Sequence, residues 1–329
     1  VEEHLRKANL NLENLTTLVL DEADRMLDMG FQEALDNIIS YMPDERQTLL
    51  FSATYPSKIE KIAQRIMRSP VTVEVQDSHS NQSIVQTLYQ VDSDDSRTEA
   101  VRLLLQAHQP ETTLIFCNTK IETDQVANEL RAVGYEALAL HGDLEQKERD
   151  QTLVRFANRS ASVLVATDVA ARGLDIDALD LVINYQVARE LEVHTHRIGR
   201  TGRAGAQGIA CTLHTQKENH KIGLLEDYLK QKLERDDLPP IALLRQPAFY
   251  PPMVTIQIGG GKKQKVRAGD IVGALTGEGG IPGSEIGKIQ VGDQWAYVAV
   301  AQEHGKVAFN RLSEGKIKGR NFKVRRLRG

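Results

Sequence analysis

Short apolar runs alternate with amphipathic stretches through the first three-quarters of the chain. Residues 18–20, 48–51 and 71–75 read as strands, and 31–41 and 57–67 carry apolar positions at helical spacing. The polar stretch 76–83 reads as a linker. A second alternating series follows, with strands expected at 85–91, 113–117, 137–140, 163–166, 181–185 and 208–212 and helical patterns between most of them. That rhythm predicts an α/β fold with a parallel sheet covered on both faces. Pro239, Pro240, Pro247, Pro251 and Pro252 then mark a stiff linker. Beyond it the pattern changes to strand 254–258, helix 267–275, strands 286–291 and 295–300, helix 304–312 and strand 322–327. The order βαββαβ predicts an α+β module, a four-stranded antiparallel sheet backed by two helices.

Composition adds limits. The chain has 329 residues, enough for two or three domains, and its net charge of −4 hides an asymmetry. Residues 254–329 hold 14 Lys and Arg against 6 Asp and Glu, a local +8 that leaves −12 on the rest. A basic module on an acidic body marks a polyanion-binding appendage. Two cysteines, Cys117 and Cys211, are too few for a disulfide framework, and Cys117 lies in an apolar run where a buried reduced thiol is expected. No run approaches the ~18 apolar residues of a membrane span, and residues 1–15 read as neither signal nor transit peptide. A cytoplasmic protein with no membrane partner is expected.

Chemistry concentrates at strand ends. Asp21-Glu22-Ala23-Asp24 follows the strand 18–20, at the edge where open α/β sheets hold ligands. Asp21 there suits Mg²⁺ held through water, and Glu22 suits a base orienting the attacking water; helix capping is the alternative. Ser52 and Thr54 close the next strand with two hydroxyls able to tie the carboxylates to a neighbouring segment. Thr167 sits at a strand-to-helix turn where a hydroxyl and an N–H can meet phosphate, Gly173 permits close backbone approach, and Asp175 can accept from a ribose hydroxyl. His141-Gly142-Asp143, with Gln146 and Arg149, lies beyond another strand end, in reach of a nucleic-acid backbone. His196-Arg197-Ile198-Gly199-Arg200-Thr201-Gly202-Arg203 packs three arginines into seven residues, a charge density suited to the wall of a phosphate site.

These four segments, Asp21–Asp24, Ser52–Thr54, Ala166–Asp175 and His196–Arg203, resemble motifs II, III, V and VI of DEAD-box RNA helicases in order and spacing. The resemblance implies two RecA-like domains that close on ATP, Mg²⁺ and single-stranded RNA, with boundaries at 1–76 (the C-terminal half of the first), 84–235 (the second), a linker at 236–252 and an RNA-binding module at 253–329. It implies Arg200 and Arg203 as fingers on the γ-phosphate, His196 as the coupling between nucleotide and motif III, and Asp24, Ser52, Thr54, Gly173 and Asp175 as nucleotide-side residues. Gly142, Arg149, Thr167, Asp168 and Arg172 are implied to meet RNA or the neighbouring domain. One departure stands out. No Gly-x-x-x-x-Gly-Lys-Ser/Thr occurs; around Gly259-Gly260-Gly261-Lys262, Ile256 replaces the first glycine and Lys263 the final hydroxyl residue. The first domain is therefore expected to be incomplete at its N-terminal side, and the chain by itself to turn over no ATP.

The tail resembles an RNA-recognition motif, in which aromatics on central strands stack bases. Trp295 and Tyr297, two apart, are expected on one strand face, although Thr255 stands where the other aromatic is usual. Lys262, Lys263 and Lys265 flank the first strand and Arg320, Lys323, Arg325 and Arg326 crowd the last, so contacts to phosphates of a structured RNA are expected to dominate. A DEAD-box core with such a tail resembles a bacterial branch of the family. That resemblance implies a monomer targeted to a hairpin of large-subunit ribosomal RNA, acting on adjacent helices in a pre-ribosomal particle. A DNA-acting helicase of the same superfamily and a non-hydrolysing RNA-binding scaffold are the competing readings.

Overall fold

The computed structural model describes residues 1–28, 30–52, 55, 57–74, 84–171, 179–202 and 207–327. The chain divides into two units, Val1–Ser78 and His79–Gly329.

The first unit contains α1 (Glu2–Arg6), β1 (Thr17–Leu20), α2 (Ala23–Asp28), α3 (Gln32–Ile39), β2 (Gln47–Leu50) and α4 (Ser57–Ile66). β1 and β2 pair in parallel, Thr17 opposite Gln47 through Leu20 opposite Leu50. Side chains alternate across a strand, so Leu18 and Leu20 enter a core with Leu35, Ile59 and Ile62, and Val19 between them is exposed. The strand expected at 71–75 does not form over 71–74. Val71 and Val73 are 87% and 79% exposed, and no strand among the described residues pairs with them.

The second unit begins with β3 (Ile84–Val91), α5 (Arg97–His108), β4 (Thr113–Cys117), α6 (Lys120–Ala132), β5 (Ala137–Leu140) and α7 (Gln146–Ala157). It continues through β6 (Val163–Thr167), α8 (Asp168–Ala171), β7 (Leu181–Asn184), α9 (Leu191–Ile198), β8 (Gly208–Thr215), α10 (Asn219–Leu229) and β9 (Glu234–Asp236). These strands form one parallel sheet in the order β5-β6-β4-β7-β8-β3-β9. β4 and β7 at its centre, and β5 at one edge, are buried along their whole length because helices cover both faces, as the apolar runs predict. One layer holds Val101, Leu104, Ile115, Val126 and Ile183, the other Leu114, Phe116, Leu164 and Val182. Cys117 and Cys211 are buried free thiols. β9 was not expected: Glu234-Arg235-Asp236 is a charged, exposed edge strand with no hydrophobic signature.

The proline-marked segment is laid onto this domain. Leu238, Ala248 and Phe249 pack against the core, Gln106 Nε2 donates to the Pro247 carbonyl at 3.0 Å, and Phe249 stands edge-on to Tyr135.

The tail comprises β10 (Met253–Ile258), α11 (Ala268–Thr276), β11 (Ile286–Val291), β12 (Ala296–Ala301), α12 (Gly305–Glu314) and β13 (Val324–Leu327). The strand order β11-β12-β10-β13 is antiparallel throughout, the split βαβ arrangement expected. Val254, Ile256, Ile258, Ala296, Val298 and Val300 form its core with Ile271, Leu275, Ala308 and Leu312 of the two helices. The alternate residues Thr255, Gln257, Tyr297 and Ala299 face the other way, and they too are buried. Asn158 Nδ2 donates to Thr255 Oγ1 at 3.1 Å, the Ser160 and Thr255 hydroxyls lie 2.6 Å apart, and the Met253 amide donates to the Arg159 carbonyl at 3.3 Å. Trp295 falls in the turn before β12 rather than on the strand, its carbonyl accepting from the Gly292 amide.

Candidate nucleotide and RNA sites

In the first unit the acidic tetrad sits at the C-terminal end of β1. The Ala23 amide donates to the Phe51 carbonyl at 3.1 Å, and the Asp24 amide donates to Ser52 Oγ at 3.3 Å. These two bonds tie the carboxylate turn to the end of β2. Asp24 is buried, whereas Asp21 and Glu22 are exposed. Asp21 Oδ1 accepts from the Glu22 amide at 2.9 Å, and Glu22 adopts a left-handed backbone with φ +50. Two exposed carboxylates on a rigidly tethered strand end are hard oxygen donors, a set that suits Mg²⁺. Thr54 lies outside the described residues.

In the second unit the C-terminal ends of the central strands converge on Arg197 of α9. Its Nε and Nη2 grip Asp168 Oδ1 and Oδ2 at 2.6 and 2.8 Å. Nη1 donates to the Gln186 carbonyl at 2.9 Å, Nη2 also reaches Asn118 Oδ1 at 2.8 Å, and the guanidinium lies 5.2 Å from the Phe116 ring centroid. Arg197 is 1% exposed. It joins the ends of β4, β6 and β7, so of the three clustered arginines this one braces the sheet instead of walling a phosphate site. The expectation for Asp168 changes with it. Both its oxygens are engaged by Arg197, and a paired carboxylate is a poor partner for RNA phosphate.

The neighbouring residues keep a surface aspect. Thr167 is half-buried at the end of β6, and Arg149 on α7 donates to the Ala170 carbonyl at 2.9 Å. Gly142 follows buried His141, whose Nε2 lies 3.0 Å from Asp124 Oδ2; Lys120 pairs with Asp143 and thereby holds that carboxyl below its ordinary range. His196 is half-buried on α9, and Arg200 follows the helix, its carbonyl accepting from the Leu179 amide at 3.1 Å. Arg172, Gly173, Asp175 and Arg203 lie outside the described residues.

In the tail the structure separates the two aromatics. Trp295 is 42% exposed with the Lys147 ammonium 6.0 Å from its ring centroid. Tyr297 is 8% exposed and lies beside Gln151 of α7; burial pushes its hydroxyl pKa up. Base stacking on Tyr297 is closed in this arrangement because α7 occupies that face. The basic residues stay outside it: Lys262, Lys263, Lys265, Arg320, Lys323 and Arg325 are exposed. Arg325 Nε donates to Gln257 Oε1, and Arg326 Nη2 donates to Gln302 Oε1 at 3.1 Å. Among the described residues no helix is long and apolar enough to cross a membrane.

Three family models match along the chain: "DEAD/DEAH box helicase" over residues 1–62, "Helicase conserved C-terminal domain" over 96–205 and "DbpA RNA binding domain" over 255–326. The chain is 48% identical to the ATP-dependent RNA helicase DbpA of Escherichia coli over 326 residues, covering 99% of this chain and 71% of that protein. It is 34% identical to the Bacillus subtilis protein of the same name, covering 98% and 71%. Among solved structures, Saccharomyces cerevisiae Dbp5 bound to RNA and ADP BeF3 aligns with a TM-score of 0.66 at 29% identity, over 72% of this chain and 63% of that one. The chain thus spans under two thirds of that solved relative and somewhat more of the two bacterial ones. With carboxylate turn, parallel sheet and basic split-βαβ module all matched in one continuous alignment, the chain belongs to the DEAD-box RNA helicase family.

Proposed function

We propose that this chain is part of an ATP-dependent RNA helicase that remodels large-subunit ribosomal RNA in a pre-ribosomal particle of the cytoplasm, brought to its site by the basic tail binding an RNA hairpin. The observation that carries this reading is the unbroken relationship to the E. coli helicase across 99% of the chain, tail included. Core and targeting module are thereby related as one piece.

The roles follow from the chemistry at each position. Asp21 would hold Mg²⁺ through water, and the ion would supply positive charge against the triphosphate. Glu22, exposed beside it, orients and deprotonates water. Ser52 fixes the turn that presents both, with Thr54 as its companion hydroxyl. Arg200 and Arg203 place guanidinium charge on the γ-phosphoryl, His196 links them to the Ser52 segment, and Gly173 and Asp175 serve the nucleotide. Thr167, Gly142, Arg149 and Arg172 face the RNA backbone. In the tail, exposed lysines and arginines meet phosphates, so binding of a folded hairpin depends on charge and shape more than on splayed bases.

The test compares ATP hydrolysis by a protein in which a P-loop accompanies this chain, stimulated by the ribosomal hairpin, by unrelated RNA and by DNA. Strong hairpin preference supports the reading. Equal stimulation by DNA overturns it in favour of a DNA-acting helicase. Residues 1–329 alone are expected to be inactive, and RNA-stimulated phosphate release from them would overturn that part.

A further inference from the structure

The tail's sheet has two buried faces, and its own helices account for only one. Thr255, Gln257, Tyr297 and Ala299 are 0%, 5%, 8% and 1% exposed on the face that an isolated module would offer to solvent. We propose that this face is a docking surface for α7 and residues 158–160 of the parallel-sheet domain, and that the module engages hairpin RNA while docked, through its exposed basic edges. The proposal rests on the reading of the tail as an RNA-binding module.

Three observations support it. The first is chemical fit. Thr255 stands where an RNA-recognition motif usually carries a stacking aromatic, and its hydroxyl is met by Asn158 at 3.1 Å and Ser160 at 2.6 Å, both buried. A small hydroxyl residue suits a close protein contact and gives a base nothing to stack on. The second is the tether. Pro247, Ala248 and Phe249 are held on the same domain through Gln106, the backbone beside Gly134, and Tyr135, so little conformational freedom remains to be lost on docking. The third is the path of contacts leaving the face. Arg325 on β13 bonds Gln257, Gln257 Nε2 reaches the Tyr297 hydroxyl at 3.5 Å, and Tyr297 lies beside Gln151 of α7. On the same helix Arg149 holds the Ala170 carbonyl of α8, beside Asp168. Thr255, Gln257 and Tyr297 are therefore positioning residues, and Lys262, Lys263, Lys265, Arg320 and Lys323 remain available to RNA.

The experiment uses Ser160→Cys with Thr255→Cys in the full chain. Ser160 and Thr255 are 5% and 0% exposed, but their hydroxyls lie 2.6 Å apart, so a cysteine pair there is placed to close, and peptide mapping separates it from the buried Cys117 and Cys211. Oxidation is followed by mass spectrometry. Affinity for a fluorescent stem-loop of large-subunit ribosomal RNA is then measured with the pair oxidised and reduced. We expect near-complete disulfide closure in the folded protein and a Kd within about twofold between the two forms. Failure of closure in a protein with native circular dichroism overturns the docking. A loss of about tenfold or more on oxidation shows that RNA needs the face freed, which makes the contact inhibitory and overturns the proposal. If the first pair misfolds, Asn158→Cys with Thr255→Cys asks the same question. If wild-type chain does not bind the stem-loop, the RNA reading fails with the second half of the proposal, while disulfide yield still decides the docking.

Discussion

Arg197 holds Asp168 in a two-pronged grip, Nε to Oδ1 at 2.6 Å and Nη2 to Oδ2 at 2.8 Å, with the guanidinium 1% exposed. The pair joins the helix that carries His196 to the turn that follows Thr167. Two segments assigned separate tasks in sequence are thus mechanically one.

Asp168→Ala should destabilise the second unit by about 3–5 kcal/mol, because it strands a buried guanidinium. Urea unfolding of the chain measures this. A change below about 1 kcal/mol accompanied by weaker RNA binding would return Asp168 to an RNA role.

Glu22→Gln should slow ATP hydrolysis while leaving ATP binding in place, since it removes the base and keeps Asp21. Arg200→Ala should lower kcat about 10³-fold with hairpin affinity unchanged, because a finger acts on transition-state charge. Both are measured in a protein that also carries a P-loop. Hairpin affinity falling in step with kcat would reassign Arg200 to RNA.

His194 gives the second unit a pH dependence. Burial, and then the Arg197 charge, lower its pKa from the ordinary 6.5 to about 4, and its Nε2 lies 3.0 Å from Gln86 Oε1. In the unfolded chain the imidazole takes a proton near 6.5; in the folded chain it resists until about 4. The unfolded state therefore binds more protons in that window. Stability should be full above pH 6.5 and fall as the pH drops toward 4. His194→Gln should flatten the melting temperature across that range; an unchanged slope would exclude His194 as its source.

Hairpin binding by the tail should weaken steeply with salt. Replacing Lys262, Lys263 and Lys265 by Gln should lower the log–log slope by roughly 0.7–0.9 for each phosphate that is no longer neutralised. A slope that ignores all three would place the RNA against the other basic edge, around Arg320 and Lys323.

The parallel sheet was legible because strands such as Thr113–Cys117 run apolar after their first residue, which is what burial on both faces requires. β9 was not, because Glu234-Arg235-Asp236 owes its place to backbone pairing with β3 and to the Arg235–Glu226 ion pair at 3.0 Å, neither of which leaves a hydrophobic pattern. Arg97 and Arg197 carry no sequence sign of burial. Arg97 is 1% exposed, enclosed by Asp94, Glu218 and the Tyr185 and Leu213 carbonyls, partners that only the fold assembles. The substitution of an aromatic by Thr255 was visible, but what covers it was not, since Asn158 lies 97 residues away along the chain.

The left-handed backbone of Glu22, φ +50, sets a price on the carboxylate turn. A side chain with a Cβ is disfavoured there by something on the order of 1 kcal/mol, a conformation glycine adopts freely. Glu22→Gly should therefore give a turn as stable as the native one or more so, and a protein without its base. The position is one at which selection for thermostability and selection for turnover would choose different residues.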